Sequence, residues 1–99
     1  MRITSEQATA IRQDVARLAG DAARVWLFGS RVRDDARGGD VDLMVELDVA
    51  VPEPAQLAAR LAAQTSRRMW GRKVDVLIKA PNLQALPIHS IAMSEGVLL

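Results

Sequence analysis

Two aspartates two residues apart, Asp40 and Asp42, open one alternating stretch of the chain, and a third, Asp75, stands near the start of another. On a β-strand, residues i and i+2 leave the same face about 7 Å apart at the backbone, so Asp40 and Asp42 can converge on one cation. Like charges held that close are unfavourable unless a cation sits between them. The donors are all oxygen, in a chain with no cysteine and one histidine, which suits a hard ion, Mg²⁺ or Mn²⁺, rather than zinc. Taken alone, Asp-x-Asp is equally the solvated face of a strand or a turn, so its meaning depends on what lies beside it.

A second feature is Gly29-Ser30, which follows a short apolar run. Glycine lets another group approach the backbone closely, the free N–H groups of a helix start favour phosphate, and the serine hydroxyl adds a donor. An ordinary strand-to-helix turn has the same residues. Arg31, directly after this turn, can neutralise triphosphate charge with its guanidinium; Arg33 and Arg37 read better as loop residues.

The elements that must position these groups are legible in the pattern. Ala8, Ile11, Val15 and Leu18 recur at helical spacing between Thr4 and Ala19, with Thr4 and Gln7 spaced for a capping box and Gly20 at the end. Arg24–Phe28 reads as a buried strand, and Arg31–Gly39 as a short helix ending in a turn. Asp40–Leu47 alternates as a second strand, with Asp40, Asp42, Met44 and Glu46 on one side. Pro52 and Pro54 open a helix running to about Trp70, with Leu57, Leu61, Thr65 and Met69 along one stripe. Val74–Lys79 alternates as a third strand, and Pro87–Ser94 reads as a terminal helix before the apolar tail Val97-Leu98-Leu99. If the first two strands pair antiparallel, the glycine turn falls beside the aspartate pair. If the crossover helix makes the third strand parallel to the second, Asp75 reaches the same rim. Three carboxylates and a phosphate turn could then hold two divalent ions about 4 Å apart for an in-line displacement.

Leu27-Phe28-Gly29-Ser30-Arg31, Gly38-Gly39-Asp40-Val41-Asp42-Leu43 and Val74-Asp75-Val76-Leu77, in that order, resemble the motifs of the DNA polymerase beta-like nucleotidyltransferase superfamily. Within it the chain resembles the minimal nucleotidyltransferases paired with HEPN-domain toxins in type VII toxin–antitoxin operons, over nearly its whole length. The resemblance implies an α/β (α+β) fold, a small mixed three-stranded sheet covered by helices, as one domain over residues 1–99. It implies that Gly29 and Ser30 bind the nucleotide phosphates, that Asp40, Asp42 and Asp75 hold two Mg²⁺ or Mn²⁺ ions, and that Asp75 helps deprotonate the acceptor. Many relatives carry glycine where this chain has Asp34, and the spacer from Ser30 to Asp40 is shorter than is common. The implied function is transfer of AMP from ATP to a hydroxyl, a tyrosine in the HEPN-paired enzymes, of a partner HEPN toxin. The chain would thereby act as an antitoxin. The competing readings are an antitoxin that neutralises by binding alone and a small-molecule nucleotidyltransferase, although the latter normally needs an added acceptor domain.

The rest of the sequence sets bounds. Thirteen Lys and Arg against twelve Asp and Glu give a formal charge of +1 over 99 residues, which argues against a dedicated nucleic-acid surface. No apolar stretch can span a bilayer and the first residues lack a signal-peptide pattern; with no cysteine, a cytoplasmic location is expected. A chain this short buries a modest core, so association with itself or with a partner is expected to add stability. Arg67, Arg68, Arg72 and Lys73 complement the dipole at the end of the long helix. His89, with no second histidine or cysteine to share a metal, is expected to be a surface or packing residue, and Trp26 and Trp70 to be core.

Overall fold

The computed structural model describes residues 3–29 and 41–99. Helix α1 (Ser5–Ala19) begins where Thr4 and Gln7 close a reciprocal cap. The Thr4 hydroxyl accepts from the Gln7 N–H at 3.0 Å, and the Gln7 side-chain oxygen accepts from the Thr4 N–H at 2.9 Å. Two of the N–H groups that a helix start leaves without intrahelical partners are thus satisfied. There follow β1 (Arg24–Phe28), β2 (Val41–Glu46), α2 (Pro54–Arg68), β3 (Val74–Lys79), α3 (Pro87–Glu95) and β4 (Val97–Leu98). Helix α2 opens on Pro54, whose fixed φ and missing N–H are harmless in a first turn. The short helix expected between Arg31 and Gly39 lies outside the described residues.

The sheet order is β3-β2-β1-β4. Strands β1 and β2 pair antiparallel, β2 and β3 pair parallel through the α2 crossover, and β4 pairs antiparallel with β1. The mixed α+β architecture is the expected one, with a correction to the strand count: among the described residues the sheet has four strands, not three. Val97 and Leu98, expected as an apolar tail, pair with Leu27 and Trp26 on the edge of β1. Two residues cannot display an alternation, so this strand has no sequence signature. Gly96 makes the approach feasible, because a Cβ there would run into the Ala92 carbonyl and lie 2.9 Å from the Leu27 carbonyl oxygen.

One sheet face, carrying Val25, Leu27, Leu43, Val45 and Ile78, packs with Ile11 and Val15 of α1 and Leu61 of α2 into the main apolar cluster. Asp14 and Arg68 tie the two helices together at 2.9 and 3.1 Å. Met44, on the other face, is also fully buried but stands outside that cluster, as does Ala92 of α3. Helix α3 packs on β1 and therefore covers part of the second face. Among the described residues no helix is long and apolar enough to cross a membrane.

Candidate functional site

The register places three residues in one row at one end of the second face: Phe28 opposite Asp42, and Asp42 opposite Asp75. Paired positions point to the same side, and neighbouring strands lie about 4.8 Å apart, so the two carboxylates arise from adjacent backbone positions. Asp42 is half-buried and Asp75 exposed. Gly29 follows β1 directly at φ 77°, and a Cβ built there would run into the Asp42 carboxylate, with Asp42 Cγ only 3.2 Å away. The close approach that a glycine permits at this turn is therefore made by the side chain of Asp42.

The other rows on this face differ in chemistry. Trp26, Met44 and Leu77 form an apolar middle row, and Arg24, Glu46 and Lys79 form the far end. There the Arg24 Nε donates to Glu46 at 2.8 Å, its Nη2 donates to Asp48 at 2.9 Å, and the Lys79 Nζ lies 3.3 Å from the second Glu46 oxygen. The Arg24 bond holds the Glu46 carboxyl below its ordinary range; burial opposes this and Lys79 adds to it. Arg24 likewise lowers Asp48, while Asp48 and Glu46 raise the Arg24 guanidinium. The two cations that these rows carry are thus engaged at the far end, and among the described residues Asp75 makes no ion pair. A hollow of about 460 Å³ lined by Val51, Pro52, Glu53, Gln56, Leu57 and Arg60 includes neither aspartate.

Of the residues singled out from sequence, Gly29, Asp42 and Asp75 come together. Ser30, Arg31, Arg33, Asp34, Arg37 and Asp40 lie outside the described residues. Among the described residues no group of three His, Cys, Asp or Glu gathers as a metal cage, so the described donor set is the Asp42–Asp75 pair. Its oxygen-only, like-charged chemistry fits Mg²⁺ or Mn²⁺. His89 is a packing residue, 4% exposed, whose Nδ1 accepts from the Leu86 N–H at 2.9 Å at the start of α3. Trp26 is half-buried. Trp70 departs from expectation: it is not core but 84% exposed, at φ 58° just past α2. The helical stripe that ends at Met69 does not include the next residue once the backbone turns left-handed. Phe28 stands opposite Asp42 through its place before Gly29 and the antiparallel register.

A family model described as a nucleotidyltransferase domain matches residues 8–99. The chain belongs to this family. The mixed sheet with helices is consistent with the DNA polymerase beta-like nucleotidyltransferase fold, and nucleotidyl transfer is the general activity that membership supports. A search of curated proteins finds no match. In this nucleotidyltransferase the matched span contains, among the described residues, the four strands, α2, α3 and α1 from residue 8 onward, so the Asp42–Asp75 row sits inside the family domain. The family generally uses Mg²⁺ and a nucleoside triphosphate, which agrees with the oxygen chemistry of that row.

Proposed function

We propose that this nucleotidyltransferase moves AMP from ATP to the hydroxyl of a tyrosine on a partner HEPN-domain toxin and so acts as its antitoxin. The observation that carries the transfer half is the Asp42–Asp75 pair at one end of a sheet face, with the Gly29 turn against Asp42. In this reading Asp40, Asp42 and Asp75 hold Mg²⁺ or Mn²⁺, and Gly29, Ser30 and Arg31 hold the triphosphate. When bound, the divalent ions supply charge neutralisation at the phosphates and polarise the attacking oxygen. Asp75, exposed at the rim, receives the acceptor's proton. The tyrosine oxygen bonds to the α-phosphorus, and pyrophosphate leaves. The motif resemblance supports the HEPN partner. The 99 residues contain no tyrosine, so a tyrosine acceptor lies outside them.

The test is incubation with labelled ATP, Mg²⁺ and a HEPN-domain toxin. We expect label on a tyrosine of that protein and essentially none on this chain, with transfer by Asp42→Asn reduced about 100-fold or more. Transfer by Asp42→Asn at the wild-type rate would sink the assignment. Full neutralisation of the toxin by an inactive Asp42→Asn protein would instead establish a binding-only antitoxin.

A further inference from the structure

Helix α3 is built the wrong way round for a surface helix. Its inward positions are His89 and Ala92, both buried, whereas Leu86 at its N-cap and Ile88, Ile91 and Met93 along it stand 38–46% exposed. Leu98 of β4 is 51% exposed and pairs with Trp26, so it points to the sheet face that α3 covers. These are five of the seven large apolar side chains exposed among the described residues. The inward arrangement is costly, because the buried Nε2 of His89 finds no partner among the described residues. Apart from Glu95 at its end, α3 carries no Asp, Glu, Lys or Arg. A helix apolar around its circumference is one covered on more than one side, and β1 covers only one side of α3.

Charge and residue pattern say what fits the outer side. Glu95 stands in the last turn, at the negative end of the helix's own dipole, and the first turn carries no acidic residue. Both are the reverse of the favourable arrangement. A second α3 laid antiparallel across a twofold axis satisfies both ends at once, because each Glu95 comes beside the positive first turn of the other helix. The helix Pro87–Glu95 centres on Ile91. In that alignment Ile91 meets its own copy, and Ile88 meets the exposed Ser94 of the other helix, large against small. A face without charges along its length also meets itself with no like-charge repulsion. Five side chains at these exposures leave on the order of 300 Å² of apolar surface, short of the roughly 800 Å² per side in a standard-size interface. The association this area supports is therefore reversible.

We infer that α3, with Leu98 on the same face, is the contact through which two copies of this nucleotidyltransferase form a weak twofold dimer, Ile91 on the axis and Glu95 at the start of the other copy's α3. The dimer stands apart from the acceptor proposed above and needs none of its chemistry. The experiment follows the full chain by sedimentation equilibrium from about 1 μM to about 1 mM. It is repeated with Ile91→Asp, with Ile91→Lys, with an equimolar mixture of those two, and with Glu95→Lys. The thermal midpoint of each is taken at the lowest concentration.

We expect a monomer–dimer equilibrium with a Kd between about 10 μM and about 1 mM. Ile91→Asp and Ile91→Lys should each raise it at least about 10-fold, since like charges then meet on the axis, and their mixture should recover most of the loss as opposite charges meet. Glu95→Lys should weaken the dimer several-fold while keeping or raising the dilute midpoint, because lysine suits the end of its own helix. Where either charged variant lowers that midpoint, Ile91→Ser takes its place and should weaken the dimer in the same direction. A wild-type chain monomeric at 1 mM overturns the inference, and so does undiminished association of Ile91→Asp. A mixture that recovers nothing, or a Glu95→Lys chain that dimerises like the wild type, overturns the antiparallel arrangement on which it stands. A monomeric wild type whose binding to a HEPN-domain protein is lost in Ile91→Asp also overturns it, by giving the face to that partner.

Discussion

Gly29 and Asp42 crowd each other at the candidate site. The turn needs a residue without a Cβ for two separable reasons: the left-handed φ of 77° and the carboxylate that occupies the space of a side chain. A double-mutant cycle separates them. Gly29→Ala should destabilise the domain by about 1–2 kcal/mol from backbone strain alone, and by more in the presence of Asp42. In an Asp42→Ala background the extra part should vanish, leaving the backbone contribution. Urea denaturation of the four proteins reads the coupling directly, and strict additivity would show that the carboxylate does not fill that space in solution.

The elements show which parts of the fold a sequence can reveal. Strand β1 (Arg24–Phe28) lies at its expected bounds, because an apolar aromatic run closed by glycine has one reading. The alternation of β2 and β3 is legible for the same reason, and the Pro54 start of α2 is a local chemical signal. The aspartate row was within reach because strand direction follows from connection length: a close return is antiparallel and a helical crossover permits parallel. What local pattern could not show was the edge pairing of Val97–Leu98, the full burial of Met44 on the second face, and the exposure of Trp70, each decided by tertiary neighbours. Thr65 is a related case, since its place on the apolar stripe of α2 was readable but its isolation was not. It is 1% exposed, and its hydroxyl finds no partner among the described residues. Thr65→Val keeps the shape and removes an unsatisfied polar group, so we expect stabilisation of about 1 kcal/mol, read as a higher urea midpoint at unchanged slope.

At the scale of the molecule, buried ion pairs set the response to acid. Burial raises the Asp14 carboxyl, but the bonds and charges of Arg68 and Arg17 outweigh it and bring it below its ordinary 3.8. Arg24 brings Glu46 below its ordinary 4.5 against the opposing effect of burial. Carboxyls lowered in the folded state contribute stability that is present above their unfolded values and lost as pH falls through the folded ones. The domain should therefore lose stability progressively below about pH 4.5. Asp14→Asn should lower stability at pH 7 by about 1–2 kcal/mol, discounted for the solvent exposure of Arg68, and should flatten the acid side of the profile. An unchanged slope between pH 5 and 2.5 in that variant would show that the α1–α2 pair plays no part. The register of the sheet has a further consequence, in time rather than in space. Phe28 and Asp42 meet within a strand pair closed by a short connection, whereas Asp75 joins them only after α2 has crossed the sheet. Closing the longer excursion is entropically harder. On refolding, helical signal and β1–β2 pairing should thus return before the two carboxylates are neighbours, and transferase activity should recover with the slowest phase, when β3 docks.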